Sequence, residues 1–376
     1  MRMASMGDLK SHSTAASPLT SSKRLKADSP PQTILVTGGA GFIGSHFVRL
    51  ALGKPHTRVV NVDALTYAGN LDNLADVADH ANYRFIRADI CDGELLGKLF
   101  AEECPTAVVH LAAESHVDKS IAAPDDFIRT NVVGTTQLLK CSLSHWEHLN
   151  DSARESFRFL HVSTDEVFGS LRPTGKFSEA SPYHPSSPYS ASKAAADHLT
   201  RAFFVTYGLP TIISNCSNNY GPNQLPEKLV PLMTLQALAG KILPLFGDGQ
   251  NVRDWLYVED HCAALWQILT LGTPGEDYCV GGNCEKRNLE VVHAICTAIN
   301  ELRPELAHRP WGALVEFVAD RPGHDRRYAV DTTKITRELG WRPQVAFESG
   351  LRSTVAWYLD NSNWVERVLS GVYRRE

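Results

Sequence analysis

The sequence predicts an α/β protein whose core is a doubly wound parallel sheet. From Thr33 onward, short apolar runs rich in β-branched residues alternate with longer amphipathic stretches, which is typical of parallel strands joined by helices. The short runs are apolar on both faces, as expected for strands that helices cover on both sides. A glycine-rich turn follows the first of these runs and opens the first amphipathic stretch. Such sheets bind ligands at the carboxyl ends of their strands, so residues at those ends are the first candidates for function.

The elements can be assigned in order along the first half of the chain. The predicted strands lie at 34–36, 58–62, 83–86, 107–111 and 157–162, and the predicted helices at 42–52, 93–103, 127–144 and 190–206. Beyond about residue 215 the alternation gives way to stretches punctuated by Pro and Gly, which indicates a smaller and less regular lobe. We therefore expect one domain at 32–215 and a mixed second lobe at 216–376, some segments of which return to the first domain.

The first 31 residues differ from the rest of the chain. They are rich in Ser and Thr, include the basic run 23–26, close on Ser-Pro-Pro at 29–31 and show no hydrophobic period. This composition predicts a disordered tail at 1–31. A transit peptide, or a translation start at Met3 or Met6, are the alternatives.

Composition excludes several classes of protein. The 376 residues carry 37 Lys+Arg against 42 Asp+Glu, so a net charge of −5 gives no general attraction to nucleic acid or to an anionic membrane. No apolar run reaches the roughly 18 residues that cross a bilayer. The eight cysteines form no C-x-x-C pair and no spacing typical of metal ligands. We therefore expect reduced thiols, no bound metal and a cytoplasmic location.

The glycine-rich turn is the first candidate binding element. Residues 37–44 read TGGAGFIG, which places glycines at 38, 41 and 44 between the first strand and the first helix. Glycine there allows a tight turn, a close approach of backbone to a pyrophosphate, and close packing of helix on strand. Asp63 ends the second predicted strand, where a carboxylate can accept both hydroxyls of an adenosine ribose. Since this charge would repel a 2′-phosphate, the glycine-rich turn together with Asp63 favours NAD over NADP. The alternatives are that the turn has only a structural role and that Asp63 is a solvated acid at a strand end.

The segment YSASK at 189–193 is the first candidate for catalysis. Tyr189 and Lys193 are four residues apart at a predicted helix start, so they share one helical face. We expect the lysine cation to lower the pKa of the phenol towards neutrality, so that a phenolate can take a hydroxyl proton. With eleven tyrosines in the chain, a chance Tyr-x-x-x-Lys is nearly expected, and the motif gains weight only from its order after the glycine turn and Asp63.

Two adjacent acids follow the fifth predicted strand. Asp165 and Glu166 come directly after Thr164, at a carboxyl end where ligands bind in such sheets. Adjacent carboxyl groups suit an elimination, in which one is protonated to help a hydroxyl leave and the other is ionised to remove a carbon-bound proton. Two different environments would have to set these two protonation states. An exposed acidic turn is the alternative.

These features resemble the extended short-chain dehydrogenase/reductase superfamily. That resemblance rests on the Gly-x-x-Gly-x-x-Gly spacing and on HLAA at 110–113. From about residue 33 to 365 the chain more closely resembles the dTDP-glucose 4,6-dehydratase family. The motifs that carry this likeness are DALTYAGN at 63–70, AESHVD at 113–118, TDE at 164–166, NCSNNYGP at 215–222, PEKL at 226–229, RDWLYVEDH at 253–261 and DRPGHD at 320–325.

The resemblance implies that residues 32–215 form a Rossmann-like domain that binds NAD. It implies cofactor contacts from the glycine turn, from the ends of the strands and from the Tyr-Lys pair. These are Gly38, Gly41, Phe42, Ile43, Gly44, Asp63, Leu65, Thr66, Asp89, Ile90, Leu111, Ala112, Ala113, Ser115, Thr130, Tyr189, Lys193 and Asn219.

It also implies a redox-neutral removal of water from a nucleotide sugar. Tyr189, aided by Lys193, would take the 4-hydroxyl proton as hydride passes to NAD, and Thr164 would bind the developing ketone. Glu166 would then take the C5 proton while Asp165 protonates the leaving C6 hydroxyl. The residues implied to bind the substrate are Ser115, Thr164, Asn218, Lys228, Leu229, Pro244, Phe246, Arg253, Asn288, Arg321 and His324. The resemblance further implies a homodimer formed by the helices at 127–144 and 190–206.

Other functions stay open on the sequence. UDP-glucose is the second candidate substrate after dTDP-glucose, because NQL at 223–225 departs from the pattern of many bacterial members and is similar to plant UDP-glucose dehydratases. A nucleotide-sugar 4-epimerase would share the glycine turn and Tyr-x-x-x-Lys, but it has no use for the Asp165-Glu166 pair. A non-catalytic NAD-binding regulator commonly loses the tyrosine or the lysine, and both are present here.

Overall fold

A computed structural model describes residues 32–306 and 310–374, so the tail predicted at 1–31 lies outside the described residues. The strands of the described part are β1 Gln32–Thr37, β2 Thr57–Asp63, β3 Tyr83–Arg87, β4 Ala107–His110, β5 Arg158–Thr164, β6 Thr211–Cys216, β7 Asn218–Tyr220, β8 Leu243–Phe246, β9 Val252–Tyr257, β10 Asp277–Val280, β11 Glu285–Arg287 and β12 Val315–Val318. The α-helices are α1 Phe42–Leu52, α2 Gly93–Glu103, α3 Val117–Ala122, α4 Pro124–Phe127, α5 Thr135–Glu147, α6 Asp151–Ser156, α7 Pro188–Tyr207, α8 Leu229–Leu238, α9 Val258–Leu271, α10 Asn288–Leu302, α11 Trp311–Leu314, α12 Thr333–Leu339, α13 Phe347–Asp360 and α14 Ser362–Ser370.

Seven parallel strands form the main sheet, in the order β10-β6-β5-β4-β1-β2-β3. The order reverses at β1, which lies between β4 and β2, so the crevice of a doubly wound sheet opens at the carboxyl end of β1. The central strands are buried on both faces because their apolar side chains pack against helices above and below the sheet. The predicted fold class is confirmed.

The predicted helices differ in how closely they match. The bounds of α1 and α2 agree with the predicted 42–52 and 93–103. The stretch predicted as one helix at 127–144 is instead divided into α4, a π-helical segment Ile128–Gly134 and α5. α7 begins two residues earlier than predicted, because Ser187 caps it and Pro188 fits its first position.

The C-terminal part builds two small sheets and also completes the main one. β7, β9 and β11 form a three-stranded sheet, and β8 pairs with β12. An apolar core unites these small sheets with α8, α10 and α13. β10 pairs with β6 in the main sheet, and α9 packs against α1. Some segments from the C-terminal half of the chain therefore belong to the main sheet and its helix layer rather than to the smaller sheets.

Three further facts bear on function. In the described residues no helix is both long and apolar enough to cross a membrane. The same residues hold no group of three His, Cys, Asp or Glu side chains arranged for a metal ion. All eight cysteines lie in the described part and are free thiols.

Candidate active site

A cleft runs along the carboxyl edge of the main sheet, between that edge and the C-terminal part of the chain. It has a volume of about 330 Å³ and is lined by the turn after β1, the loops after β2 to β5, the start of α7 and residues 216–219, 224, 225, 227 and 228. This volume lies within the range of small-molecule sites, which is roughly 300–1,000 Å³.

The glycine turn forms one end of the cleft. Gly38 has a left-handed backbone (φ 73°), and a Cβ there would lie 2.6 Å from the amide nitrogen of Ala112. A Cβ on Gly44 would lie 2.1 Å from the carbonyl oxygen of Gly38, so helix and turn touch. Among the described residues, the one neighbour within 4 Å of a Cβ at Gly41 is that same oxygen, at 3.2 Å. Gly41 thus leaves open space on the cleft side at the N-terminus of α1, where backbone N–H groups favour an anion.

Asp63 ties this turn to the next loop. Its Oδ2 accepts a hydrogen bond from the amide of Ala40 (3.0 Å), and its Oδ1 accepts one from the amide of Leu65 (2.8 Å). Burial raises the pKa of Asp63, whereas these two amides oppose the rise. Each oxygen keeps a lone pair for a further donor from the cleft.

The structure brings nearly all of the predicted cofactor residues to the cleft. Those that line it are Gly38, Gly41, Phe42, Ile43, Gly44, Asp63, Thr66, Asp89, Ile90, Leu111, Ala112, Ala113, Ser115, Thr130, Tyr189, Lys193 and Asn219. Leu65 is the exception, because its side chain packs against the apolar core beside β1 and β2. Its backbone (φ 54°) turns the loop away after Asp63.

The Thr-Asp-Glu segment lies where β5 ends. Thr164 caps a 3₁₀ turn, Asp165–Phe168, and its Oγ1 accepts a hydrogen bond from the amide of Glu166 (3.2 Å). Gly169 ends the turn with φ 82°, and a Cβ there would lie 2.4 Å from the carbonyl oxygen of His184. The turn is thus fixed at both ends, and all three side chains reach the cleft.

The two carboxyl groups have different surroundings. Asp165 is 2% exposed, and its Oδ2 has no partner among the described residues. Burial, and then the charges of Glu166 and Asp254, raise the pKa of Asp165 well above its ordinary value. Burial also raises the pKa of Glu166, but the cations of Arg321, Arg253 and Lys228 oppose the rise. Of the two carboxyl groups, Asp165 therefore keeps its proton more readily and Glu166 ionises more readily, as an acid and base pair requires.

Tyr189 and Lys193 lie one turn apart in α7 and are both buried. The Lys193 ammonium donates a hydrogen bond to the carbonyl oxygen of Val162 (2.8 Å) at the end of β5. The expected lowering of the phenol's pKa is not found: burial, and then the charge of Glu166, raise the pKa of Tyr189 well above its ordinary value. Desolvation of a buried phenolate outweighs the nearby lysine. This phenol holds its proton in the structure described.

The predicted substrate residues divide into two groups. Ser115, Thr164, Asn218 and Lys228 line the cleft. The others lie outside its lining, in the C-terminal part, and are Leu229, Pro244, Phe246, Arg253, Asn288, Arg321 and His324. The ring of Phe246 meets His324 edge to face at 6.1 Å, and the guanidinium of Arg321 lies 5.9 Å from the same ring.

Three buried or half-buried cations face Glu166 from this side. Arg253 donates to the backbone oxygen of Asp325 (2.9 Å) and stacks on Tyr328 at 4.3 Å. Lys228 donates to the backbone oxygen of Ser115 (3.1 Å) across the cleft. The Nε of Arg321 is buried and has no acceptor among the described residues. A buried donor without a partner is costly, so the group is suited to an anionic ligand.

Several residues at the cleft were not singled out as candidates from the sequence. They include Tyr67, Gly69, Glu114, Ser163, Cys216, Ser217, Gln224, Leu225 and Glu227. Tyr67 and Gly69 lie inside the 63–70 motif, so attention to whole loops rather than to strand ends would have found them. Gln224 was noted from the sequence only as part of the departing segment 223–225; its amide donates to the backbone oxygen of Asn219 (2.9 Å), a contact that only the fold creates.

Comparison with known proteins adds to this geometry. The family model described as GDP-mannose 4,6 dehydratase matches residues 35–354. The chain is 56% identical to a dTDP-glucose 4,6-dehydratase of Shigella flexneri over 350 residues, covering 91% of this chain and 96% of that one. It is 57% identical to a dTDP-glucose 4,6-dehydratase of Neisseria meningitidis over 349 residues, covering 91% and 98%.

Solved structures agree in fold over the same length. The dTDP-glucose 4,6-dehydratase of Streptomyces venezuelae, solved with NAD and TYD bound, matches with a TM-score of 0.82 and 46% identity over 90% of this chain and 100% of that one. The Bacillus anthracis enzyme, solved with NAD, gives 0.80 and 46% over 90% and 99%. A UDP-glucose 4-epimerase of Thermotoga maritima gives 0.77 at 29% identity over 88% and 100%.

The fold and the order of motifs along the cleft define a member of the extended short-chain dehydrogenase/reductase class. Within that class, the chain belongs to the GDP-mannose 4,6 dehydratase family of nucleotide-sugar enzymes. The resemblance stated from the sequence motifs is therefore confirmed.

Proposed function

We propose that this chain is an NAD-dependent dTDP-glucose 4,6-dehydratase, a hydro-lyase that forms dTDP-4-keto-6-deoxyglucose and water. The observation that carries the proposal is the differing surroundings of Asp165 and Glu166 at the cleft that also holds Tyr189 and Lys193. The curated relatives of more than half identity, which carry that activity, support the same assignment. The product belongs to deoxysugar metabolism, of which rhamnose synthesis is one branch.

The cleft suits NAD on its own chemistry. Gly38 and Gly44 keep the turn against strand and helix, and Gly41 leaves room for a pyrophosphate at the start of α1. Asp63 can accept from ribose hydroxyls while it holds the turn. Leu65 stays a proposed contact through its backbone alone. Held by these residues, NAD would supply hydride transfer in both directions, first from C4 of the sugar and later to C6, so the whole reaction would be redox-neutral.

The residues at the end of β5 and the start of α7 handle the first proton. Tyr189 takes the proton of the 4-hydroxyl, and Thr164 hydrogen-bonds the oxygen that becomes a ketone. Lys193 supplies the positive charge that stabilises the phenolate while it exists. Burial raises the pKa of this phenol, so the positive charges of Lys193 and of bound NAD would have to stabilise the phenolate that accepts the 4-hydroxyl proton.

The carboxyl pair then eliminates water. The C4 ketone makes the adjacent C5–H acidic, and Glu166, which three cations help to keep ionised, takes that proton. Asp165, whose surroundings favour the protonated form, gives its proton to the leaving C6 hydroxyl. Glu166 finally returns its proton to C5. Glu166 thus ends in the state in which it began, and the proton that Tyr189 took from the 4-hydroxyl balances the one that Asp165 gave up, so a proton transfer from Tyr189 to Asp165, directly or through solvent, resets the site.

The C-terminal side holds the nucleotide. We assign the diphosphate to Arg253 and to Arg321 or His324, with Lys228 and Leu229 on the phosphate side. Pro244 and Phe246 contact the base, while Asn218 and Asn288 reach oxygens of the sugar and phosphate. Residues 32–215 form the NAD-binding domain, and 216–376 mainly the nucleotide-sugar lobe.

Three alternatives to this function can be tested. UDP-glucose is the second candidate substrate, because Gln224 and Leu225 from the departing segment 223–225 line the cleft. A 4-epimerase or a non-catalytic NAD-binding regulator is disfavoured, since neither needs a protonated acid beside an ionised one.

The test is a product assay with each nucleotide sugar. Purified protein is incubated with dTDP-glucose and, separately, with UDP-glucose, and the alkali-induced absorbance of a 4-keto-6-deoxy sugar is recorded. We expect product from dTDP-glucose at a kcat/KM at least about tenfold higher than from UDP-glucose. Absence of product from both would refute the dehydratase assignment, and a preference for UDP-glucose would correct the base.

Assembly and location complete the proposal. Ile128, Val133 and Val205 are apolar but exposed on the π-helical segment and on α7, which supports a homodimer built on this face. Sedimentation of the holoenzyme at twice the chain mass is the expected result.

Free thiols at all eight cysteines of the described part support a cytoplasmic location. No nucleic-acid, membrane or metal partner is proposed.

A further inference from the structure

A buried polar cluster lies behind the Tyr-Lys pair and was not singled out from the sequence. It consists of His161, Ser163, Tyr183, Asp197 and Asn215, and we call it the Asp197 cluster. Asp197 and His161 are both 0% exposed, so neither group can be balanced by water. A buried charge in such a place has to be paired, because desolvation is otherwise too costly.

Neutral donors converge on one oxygen of Asp197. Its Oδ2 accepts hydrogen bonds from the hydroxyl of Ser163 (2.8 Å), the phenol of Tyr183 (2.9 Å) and the amide of Asn215 (3.2 Å). These donors come from β5, from the loop before α7 and from β6. They fix the position of the carboxylate and leave its Oδ1 to face elsewhere.

The other oxygen of Asp197, Oδ1, lies on the side of Lys193, with the ring of His161 between them. Asp197 Oδ1 lies 3.1 Å from Nε2 of His161, and the same Nε2 lies 3.4 Å from the ammonium of Lys193. Along α7, Tyr189, Lys193 and Asp197 are spaced by four, so they follow one another on a single helical face. The helix that carries the proton-transfer pair therefore also carries a carboxylate on its next turn.

The charges of these groups depend on one another. Burial would raise the pKa of Asp197, but contacts with His161, Lys193 and Ser163 outweigh burial and hold the carboxyl ionised. Burial lowers the pKa of Lys193, and the charge of Asp197 opposes that fall. Burial, and then the charge of Lys193, lower the pKa of His161 to about 4, so this ring is neutral at physiological pH. The negative charge paired with Lys193 is thus that of Asp197.

We propose that Asp197 is a positioning residue for the reaction: its buried carboxylate is the counter-ion that keeps the Lys193 ammonium charged and in place one helical turn from Tyr189. The neutral ring of His161 lies between them as a polar spacer. The role rests on the proposed dehydratase function, because that function makes Lys193 a required cation. Asp197 itself touches neither substrate nor cofactor, since it does not line the cleft.

Other titratable groups also face this pair. Cys216 from β6 faces Lys193 and Tyr189, and His110 from β4 lies with its ring 5.1 Å from that of His161. Asp165 and Glu166 face Tyr189, while Asp277 from β10 faces Asp197. None of these groups is altered in the variants below, so their contribution is the same in each profile that is compared.

The test is the pH dependence of kcat for Asp197→Asn holoenzyme. The amide keeps the shape and an acceptor oxygen but removes the charge, so Lys193 loses its proton more easily. We expect the alkaline limb of kcat, recorded from about pH 5 to about pH 10, to move to lower pH by roughly one unit. At a fixed pH on that limb, turnover of the variant is then about tenfold lower than that of wild type, each relative to its own optimum. The KM for dTDP-glucose stays within about twofold.

Tyr183→Phe is the matched control. It removes a hydrogen bond to the same carboxylate oxygen but leaves the charge, so its alkaline limb stays at the wild-type pH. An unshifted limb in Asp197→Asn, or an equal shift in Tyr183→Phe, would overturn the proposal. If Asp197→Asn does not fold, Asp197→Ser, which is smaller and neutral, replaces it with the same expected shift. Wild-type protein that forms no product would instead refute the function itself.

Discussion

The sheet side of the cleft is shaped mainly by backbone, whereas its C-terminal side is formed mainly by charged side chains. On the sheet side, the turn with Gly38 and Gly44 and the loop after Asp63 shape the site mostly through backbone. On the C-terminal side, Arg253, Arg321 and the neighbouring lysine act through charged side chains. Under the proposed function, the backbone of the sheet side would place a cofactor that stays bound, whereas the charged side chains of the C-terminal side would hold a dianionic substrate that has to enter and leave. Substitutions on the sheet side should therefore weaken the binding of NAD, whereas substitutions on the C-terminal side should lower the affinity for the substrate.

The largest effect is expected between the two sides, at Tyr189. Tyr189→Phe removes the group that takes the 4-hydroxyl proton, so kcat should fall by about a thousandfold with the cofactor still bound. The measurement is product formation together with the NAD content of purified protein. Tyr207→Phe, near the exposed C-terminal end of the same helix, serves as the control and should keep wild-type turnover. A kcat within tenfold of wild type in Tyr189→Phe would remove this tyrosine from the mechanism.

The sheet side is tested at Gly41. In Gly41→Ala the new methyl would lie 3.2 Å from the Gly38 carbonyl oxygen, a tight contact that requires a shift of a few tenths of an ångström, and it would also fill space left for the pyrophosphate. We expect NAD to bind roughly tenfold to a hundredfold more weakly, by calorimetry on protein freed of cofactor. Gly53→Ala, at the other end of α1, meets its first neighbour at 3.5 Å and should bind NAD as wild type does. Equal affinity in both variants would contradict the proposed cofactor position.

The C-terminal side is tested at Arg321. In Arg321→Ala the unpartnered buried Nε is lost, so KM for dTDP-glucose should rise by about tenfold while NAD content stays unchanged. Arg326→Ala removes an exposed arginine that pairs with Asp248 and should leave KM unchanged. Loss of NAD, rather than of substrate affinity, in Arg321→Ala would show that the two sides are not separable in the way described.

The two sides also differ in how far the sequence predicts them. The strands and helices of the sheet side have local patterns, so the alternation of short apolar runs with amphipathic stretches was enough to predict the fold class and the bounds of α1. The main errors there were local too. The helix predicted at 127–144 contains a π-helical segment, because amphipathic periodicity does not distinguish it from an α-helix.

The C-terminal side depends on contacts between distant parts of the chain. β10 pairs with β6, which lies about sixty residues earlier in the chain. No local sequence pattern predicts that this four-residue strand completes the main sheet. The raised pKa of Tyr189 was missed for a similar reason, since burial is a property of the fold rather than of Tyr-x-x-x-Lys. Asp197 lies on the same helix, four residues after Lys193, but its position in the sequence does not predict its role. That role depends on the hydrogen-bond donors that converge on it from β5, β6 and Tyr183.

The central claim is that oxidation and elimination are carried out by different groups, with Asp165 and Glu166 serving elimination alone. The most direct measurement follows Asp165→Asn/Glu166→Gln holoenzyme mixed with dTDP-glucose, by the near-ultraviolet absorbance of NADH and by assay of product. The account predicts that bound NADH accumulates and that no 4-keto-6-deoxy sugar forms. Product formed at the wild-type rate would contradict it.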